Sequence, residues 1–254
     1  MSSAPPPFSP GWALFLDVDG TLLEHADHPQ DVRVDAQLLA LLRDLLQEGG
    51  GAVALISGRA VADLDRLFAP LVFPAAGQHG TERRAADGSM HRHRPPSNRL
   101  EAAAQSLARL GAAHSGLVVE NKGMSLALHY RLAPALEKLV QREMSNAAAA
   151  LGDGFELQAG KFVFEIKPGG KDKGSAIAEF MAEPPFAGRT PAFLGDDLTD
   201  EYGFALVNAS GGHTVKVGAG KSAARWRLEG AAEVRDWLAA ALRAEGLRQG
   251  GKAR

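Results

Sequence analysis

The chain has no cysteine. That excludes disulfides, thiolate metal sites and a cysteine nucleophile, and it is compatible with a cytoplasmic location. Net charge is nearly absent: 28 Lys and Arg stand against 30 Asp and Glu, a formal −2. No global field draws in nucleic acid or an anionic membrane, so an anionic substrate must be captured by local charges. Long hydrophobic runs are missing too; none nears the roughly 20 residues of a membrane span. Met1 to Pro10 has neither a basic start nor an apolar stretch, so a signal peptide is not expected, and its prolines suggest a loose tail. There is no internal repeat, and no low-complexity block beyond alanine-rich helix faces. Nothing points to a protein partner. What remains is an ordinary globular composition, 45% hydrophobic and 23% charged over 254 residues. That length holds a sizeable core in one large domain or two small ones.

The organisation follows from apolar runs. Trp12–Leu16 is a short uninterrupted run closed by Asp17-Val18-Asp19-Gly20-Thr21, the pattern of a buried strand ending in a turn. Helical spacing of leucines over Asp35–Glu48, with Asp35 as N-cap and three glycines after it, predicts a helix. Ala52–Ile56 reads as a strand, Val61–Phe68 as a helix and Leu71–Ala76 as a third strand. This alternation implies right-handed parallel crossovers and an α/β Rossmann-like core. From Thr81 to Arg99 the chain turns polar and basic. A helix near 100–110, strands at 117–120 and 125–131, a helix at 134–150 and two strands within 155–167 follow. Alternation in 125–131 and 162–167 predicts a sheet with one wet face. The middle stretch therefore reads as an inserted α+β cap. The first style returns with a helix at Lys173–Met181, strands at Pro191–Leu194 and Thr214–Val217, and a last helix at Ala232–Leu247. The expected division is a loose tail at 1–11, a core of 12–80 and 169–247, a cap of 81–168 and a loose basic end at 248–254.

Three polar features fall at strand ends of the core: Asp17/Asp19, Ser57-Gly58-Arg59 and Asp196-Asp197-Leu198-Thr199-Asp200. In open α/β sheets such ends face one crevice. Two carboxylates two residues apart repel unless a cation or proton is shared, so the pair suggests metal-assisted chemistry with one member as nucleophile. Mg²⁺ suits carboxylate and water ligands. Ser57 and the backbone around Gly58, at a helix start, can hold a phosphate. Lys171 and Lys173 are the candidates for a balancing cation. Plainer readings stand beside these. Ser57 can cap a helix, Lys173 can be a solvated helix start, and His79-Gly80 can be a substrate contact or only a turn. The His91/His93 pair reads as an exposed basic loop.

These motifs, in order and with Lys173-Gly174 between the second and last, resemble those of the haloacid-dehalogenase-like phosphohydrolases. Within the cap, Glu120-Asn121-Lys122-Gly123, His129-Tyr130-Arg131 and Glu165-Ile166-Lys167-Pro168 resemble the trehalose-6-phosphate phosphatase branch, with Lys167 where that branch more often has Arg. The likeness runs from about Trp12 to Leu242. It implies Asp17 as nucleophile forming an aspartyl-phosphate, and Asp19 as the acid and base. It implies Mg²⁺ held by Asp17, the Asp19 carbonyl and Asp196. Ser57 and Lys173 would hold phosphoryl oxygens. Asp200 would orient Lys173 or a metal-bound water, and Asp197 would support. Gly58, Glu120, Lys122, His129, Arg131 and Glu165 would take the substrate, a phosphorylated disaccharide, in the last step of trehalose biosynthesis. Closure of the cap would exclude water, with hinges near Gly80 and Pro168-Gly169-Gly170. The alternatives are another sugar phosphate, such as sucrose phosphate or a glycosylglycerate phosphate, or phosphomutase-type transfer. A receiver-type signalling domain uses similar acids but is roughly half as long and has no cap.

Overall fold

A computed structural model describes residues 4–25, 32–93 and 99–252. Of the features expected above, Met1–Ser3, Arg94, Pro95, Pro96, Ala253 and Arg254 lie outside the described residues.

The chain divides into two compact units, 1–91 with 172–254, and 92–171. The first unit is built on an eight-stranded sheet. In chain order its elements are β1 (Trp12–Leu16), α1 (Ala36–Glu48), β2 (Val53–Ile56), α2 (Val61–Leu67), β3 (Ala75–Gly77), β4 (Glu82–Arg84) and β5 (Met90–Arg92). The second unit contributes α3 (Leu100–Ala113), β6 (Val118–Asn121), β7 (Leu126–His129), α4 (Glu137–Leu151), β8 (Phe155–Gly160) and β9 (Val163–Pro168). The first unit resumes with α5 (Lys173–Met181), β10 (Thr190–Gly195), α6 (Asp200–Ala209), β11 (His213–Val217), β12 (Trp226–Leu228) and α7 (Ala231–Lys252).

The large sheet runs β12-β11-β10-β1-β2-β3-β4-β5, parallel from β12 to β3, with β4 antiparallel to β3. Strand alternation sends Leu14 and Leu16 to a cluster with Leu38, Leu42 and Leu238, and Ala13 and Phe15 to one with Ile177, Phe180 and Phe204. Two layers of helix thus cover a sheet buried on both faces, which is why its strands read as continuous apolar runs. Phe15 stacks on Phe186 at 5.5 Å with no exposure; truncating such a ring costs about 3–5 kcal/mol. Parallel register aligns Leu16 with Leu194 and Leu55, so Asp17, Ser57 and Asp196 leave the sheet at one edge.

Several expectations shift. The third strand is only Ala75–Gly77, because Pro74 has no N–H to donate and offers its carbonyl to Leu55 at 3.0 Å. The polar stretch after Thr81 does not begin the cap: β4 and β5 extend the core sheet, and the units part after His91. Residues 4–11 are not loose throughout, since Phe8 is buried edge-on against Trp12 and Arg189 donates to the Pro10 carbonyl at 2.7 Å. At the other end, α7 carries helical backbone to Lys252.

The second unit packs α3 and α4 on one face of the antiparallel sheet β6-β7-β9-β8. Leu126, Leu128, Phe164 and Ile166 fill that face. Phe162, expected on a strand, instead sits in the turn before β9 at φ +62 and is partly exposed.

Candidate active site

Asp17 follows β1 directly and is buried. Its two oxygens are engaged: Lys173 Nζ donates to Oδ1 at 2.8 Å and Thr21 Oγ1 to Oδ2 at 3.1 Å. Lys173 is the first residue of α5, whose N-cap Asp172 forms a capping box with Ser175. The same ammonium donates to Asp200 Oδ1 at 2.5 Å, and the Asp197 N–H donates to Asp200 Oδ2 at 2.8 Å. Asp200 opens α6 and is fully buried. It lies against Gly195, where a Cβ would collide with its carboxyl. Of the two candidate lysines, the network contains Lys173.

Ser57 follows β2 and is buried; its Oγ accepts from the Arg59 N–H at 3.1 Å. The Arg59 guanidinium forks onto Asp19, with Nε to Oδ2 at 2.7 Å and Nη2 to Oδ1 at 2.6 Å. Gly58 packs under His79, and a Cβ there would lie 2.8 Å from the imidazole. Asp196 follows β10. His25 Nε2 lies 3.0 Å from its Oδ2, and the buried Lys216 of β11 donates to its backbone carbonyl.

Electrostatics follow from this crowding. Burial raises the Asp17 carboxyl well above the ordinary range; Lys173 opposes it, while Asp200 and Asp196 add to it. Burial likewise raises Asp200 against the pull of Lys173. Burial alone would lower Lys173, but the charges of Asp17 and Asp200 outweigh it and hold the ammonium above its usual value. Lys216 is lowered by burial despite Asp196.

Carboxylate oxygens of Asp17, Asp196 and Asp200 lie within 4.8 Å of one another. With Lys173 among them they carry a formal −2 when ionised, a deficit that one divalent cation neutralises. Among the described residues Asp196 Oδ1 is buried with no hydrogen-bond partner, the kind of orphan that an ion satisfies. Gly20, at φ +85, has no Cβ where one would run into Asp196 Oδ2. The donor set thus fits a hard cation. The converging carboxylates include Asp200 and not Asp19, whose side chain is turned to Arg59.

In the second unit the face of the sheet opposite α3 and α4 bears the other candidates. Pairing aligns Glu120, Ala127, Glu165 and Gln158 in one row across four strands. Glu165 accepts from Lys122 Nζ at 3.1 Å and Ser125 Oγ at 2.7 Å. His129 Nε2 lies 3.1 Å from Glu120 Oε2. Burial by itself would raise Glu120, but this hydrogen bond and the Lys122 charge bring it below its usual value. Arg131 lies beyond β7 and places its guanidinium over the Phe162 ring at 5.5 Å. The expected wet face is therefore largely self-paired, with Lys122 and Ser125 on Glu165 and His129 on Glu120.

His25 and Lys216 were not singled out from the sequence, and Thr21 and Arg59 stood there only as members of motifs, with no role given. Lys216 had a usable signal, a lone lysine inside an apolar strand. The Arg59 fork had none, because Arg59 and Asp19 are 40 residues apart.

Residues 15–232 match the trehalose-phosphatase family. The chain is similar to the trehalose-6-phosphate phosphatase of Escherichia coli K12, 46% identical over 92% of this chain and 87% of that one. Its fold is similar to a crystal structure titled trehalose-6-phosphate phosphatase related protein, with TM-score 0.79, 25% identity, and 92% of this chain and 99% of the other covered. At 17% identity the fold is also that of a HAD-superfamily phosphatase from Bacteroides thetaiotaomicron, with TM-score 0.60 over 89% and 92% of the two chains. With its acid and lysine cluster at the parallel sheet edge and a matched span of this extent, the chain is a phosphoric monoester hydrolase and belongs to the trehalose-phosphatase family.

Proposed function

We propose that the protein hydrolyses trehalose 6-phosphate to trehalose and inorganic phosphate, with Mg²⁺, in the cytoplasm. The observation that carries this reading is the buried Asp17, held by Lys173 and Thr21 beside Asp196 and Asp200. Such a carboxylate is oriented for attack, and its neighbours balance charge on a phosphoryl group. Asp17 attacks phosphorus, the bond to the sugar oxygen breaks, and Asp19 gives that oxygen a proton. Asp19 then takes a proton from water, which attacks the aspartyl-phosphate and returns Asp17. Because the Asp19 carboxylate accepts two bonds from Arg59, Arg59 must release it before it can act as an acid. Ser57 and Lys173 hold phosphoryl oxygens, and Asp200, with both oxygens engaged, fixes Lys173. Asp17, Asp196 and the Asp19 carbonyl would hold Mg²⁺, which supplies charge neutralisation on the phosphoryl oxygens. Substrate choice is assigned to the cap face of Glu120, Lys122, His129, Arg131 and Glu165, whose paired carboxylates and cations suit sugar hydroxyls.

The test is phosphate release from trehalose 6-phosphate, sucrose phosphate and a glycosylglycerate phosphate, with Mg²⁺ and with chelator. Preference for trehalose 6-phosphate, lost with chelator, is expected. Preference for another sugar phosphate overturns the substrate, and a product that keeps its phosphate points to mutase-type transfer.

A further inference from the structure

The turn after β3 has an unusual backbone. Gln78, His79 and Gly80 have φ of 48, 55 and 97, three left-handed residues in succession, and all are buried. Left-handed backbone at non-glycine residues persists only where surroundings over-determine it, and it collects at functional sites. Here the surroundings are the phosphate-site elements themselves. The Gln78 N–H donates to the Arg59 carbonyl at 2.9 Å, and the His79 N–H to the Ser57 carbonyl at 3.0 Å. A trans peptide sets its N–H opposite its C=O, so the second bond also fixes the direction of the Gly58 N–H, away from the turn. The His79 ring closes on Gly58 from the turn side and leaves no room there for a Cβ. On its other flank the turn meets the start of α5. A Cβ on Gly80 would lie 2.5 Å from the carbonyl of Asp172, the residue that caps α5 just before Lys173. One strained turn thus touches both the Ser57 loop and the helix start that carries Lys173.

We propose that His79 is a positioning residue for phosphoryl transfer, acting through Ser57: the 78–80 turn sets the Ser57–Arg59 loop against the Lys173 end of α5. This rests on the reading of Ser57 and Lys173 as phosphate-holding groups. Nothing in it requires His79 to touch substrate.

The test is a double-mutant cycle on hydrolysis of p-nitrophenyl phosphate with Mg²⁺, read as kcat/KM and as the inhibition constant of orthophosphate. His79→Asn keeps a residue that tolerates left-handed backbone and removes the ring; His79→Gly removes the ring with no backbone strain. With Ser57 present, each should lower kcat/KM about tenfold and weaken orthophosphate, while thermal melting shows a folded protein. In a Ser57→Ala background the same change should cost less than about threefold, because coupled residues are not additive. Equal costs in both backgrounds, or unchanged kinetics in folded single variants, overturn the proposal. Activity lost on melting stability alone, with kcat/KM per folded molecule kept, overturns it too. Absence of phosphomonoester hydrolysis in the unmodified protein would instead overturn the phosphate-site reading, and this inference with it.

Discussion

Replacing Lys173 with Met removes the ammonium that two buried carboxylates share, at 2.8 Å from Asp17 and 2.5 Å from Asp200. Met nearly fills the volume, so the loss is electrostatic. At about 4 Å and an effective dielectric near 20, one such pair is worth ~4 kcal/mol before desolvation. Removing one member of a buried pair measures about 3–5 kcal/mol. For a protein of this size that is a fall in Tm of about 6–20 °C. The pH dependence identifies the cause. Asp17 and Asp200 are already raised by burial in the folded state, and without Lys173 they rise further. A carboxyl raised on folding favours the folded state while it is protonated, below its unfolded value near 3.9, and that advantage is lost as pH climbs through the folded value. The deficit of Lys173→Met should therefore be small near pH 4 and grow towards neutrality. Urea denaturation in chelator, at intervals from pH 4 to 8, measures it. Adding Mg²⁺ at neutral pH should recover part of the loss, as linkage to a ligand of the folded state demands. A deficit constant across this range, untouched by Mg²⁺, would refute the electrostatic account.

Four further outcomes are expected. Asp17→Asn should abolish phosphate release while far-UV circular dichroism and Tm in chelator stay at or above those of the parent; retained turnover sinks the nucleophile assignment. Arg59→Lys should lower kcat/KM about tenfold or more and move its pH profile, because an ammonium cannot reproduce two parallel bonds to Asp19. Gly20→Ala should weaken Mg²⁺ in calorimetry by at least about tenfold, since the added methyl meets the Asp196 carboxylate and φ is +85. Ala127→Leu should raise KM for trehalose 6-phosphate about tenfold yet leave p-nitrophenyl phosphate within about twofold, if the row between Glu120 and Glu165 takes the sugar.

Where the placement of a residue followed from local pattern, the sequence showed it. Asp17, Ser57 and Asp196 each end an apolar strand, so their shared edge followed from parallel topology. Lys173 opens a helix whose bounds, Lys173–Met181, were read to the residue, though its cap, Asp172, was not. The pairing of Arg59 with Asp19 was invisible because 40 residues separate them, while Thr21, only four residues from Asp17, lay in the motif without a role. β4 was missed because every residue in it is charged. Its Glu82 accepts from the Val61 N–H, Arg83 pairs with Glu179 and Glu183, and Arg84 pairs with Asp65, so burial is met by partners rather than by apolar side chains. α6 escaped notice because Gly203 and Asn208 dilute its helical spacing, the glycine being required where the Phe193 ring presses on the helix. On the polar sheet face, period-two alternation gave the direction of the side chains, and the cross-strand pairing that stood as the plainer reading there is seen between Glu165 and Lys122 and between Glu120 and His129.

The segment from Arg92 to Lys171 has a hydrophobic cluster of its own, built from α3, α4 and one face of its sheet. It leaves and rejoins the rest of the chain at two junctions only. A stretch so organised can be cut out and replaced as a cassette, and its surface can change by substitution without disturbing the packing behind Asp17. If the sugar contacts proposed above lie on this stretch, its exchange between relatives should transplant sugar preference while the hydrolytic machinery stays as it was.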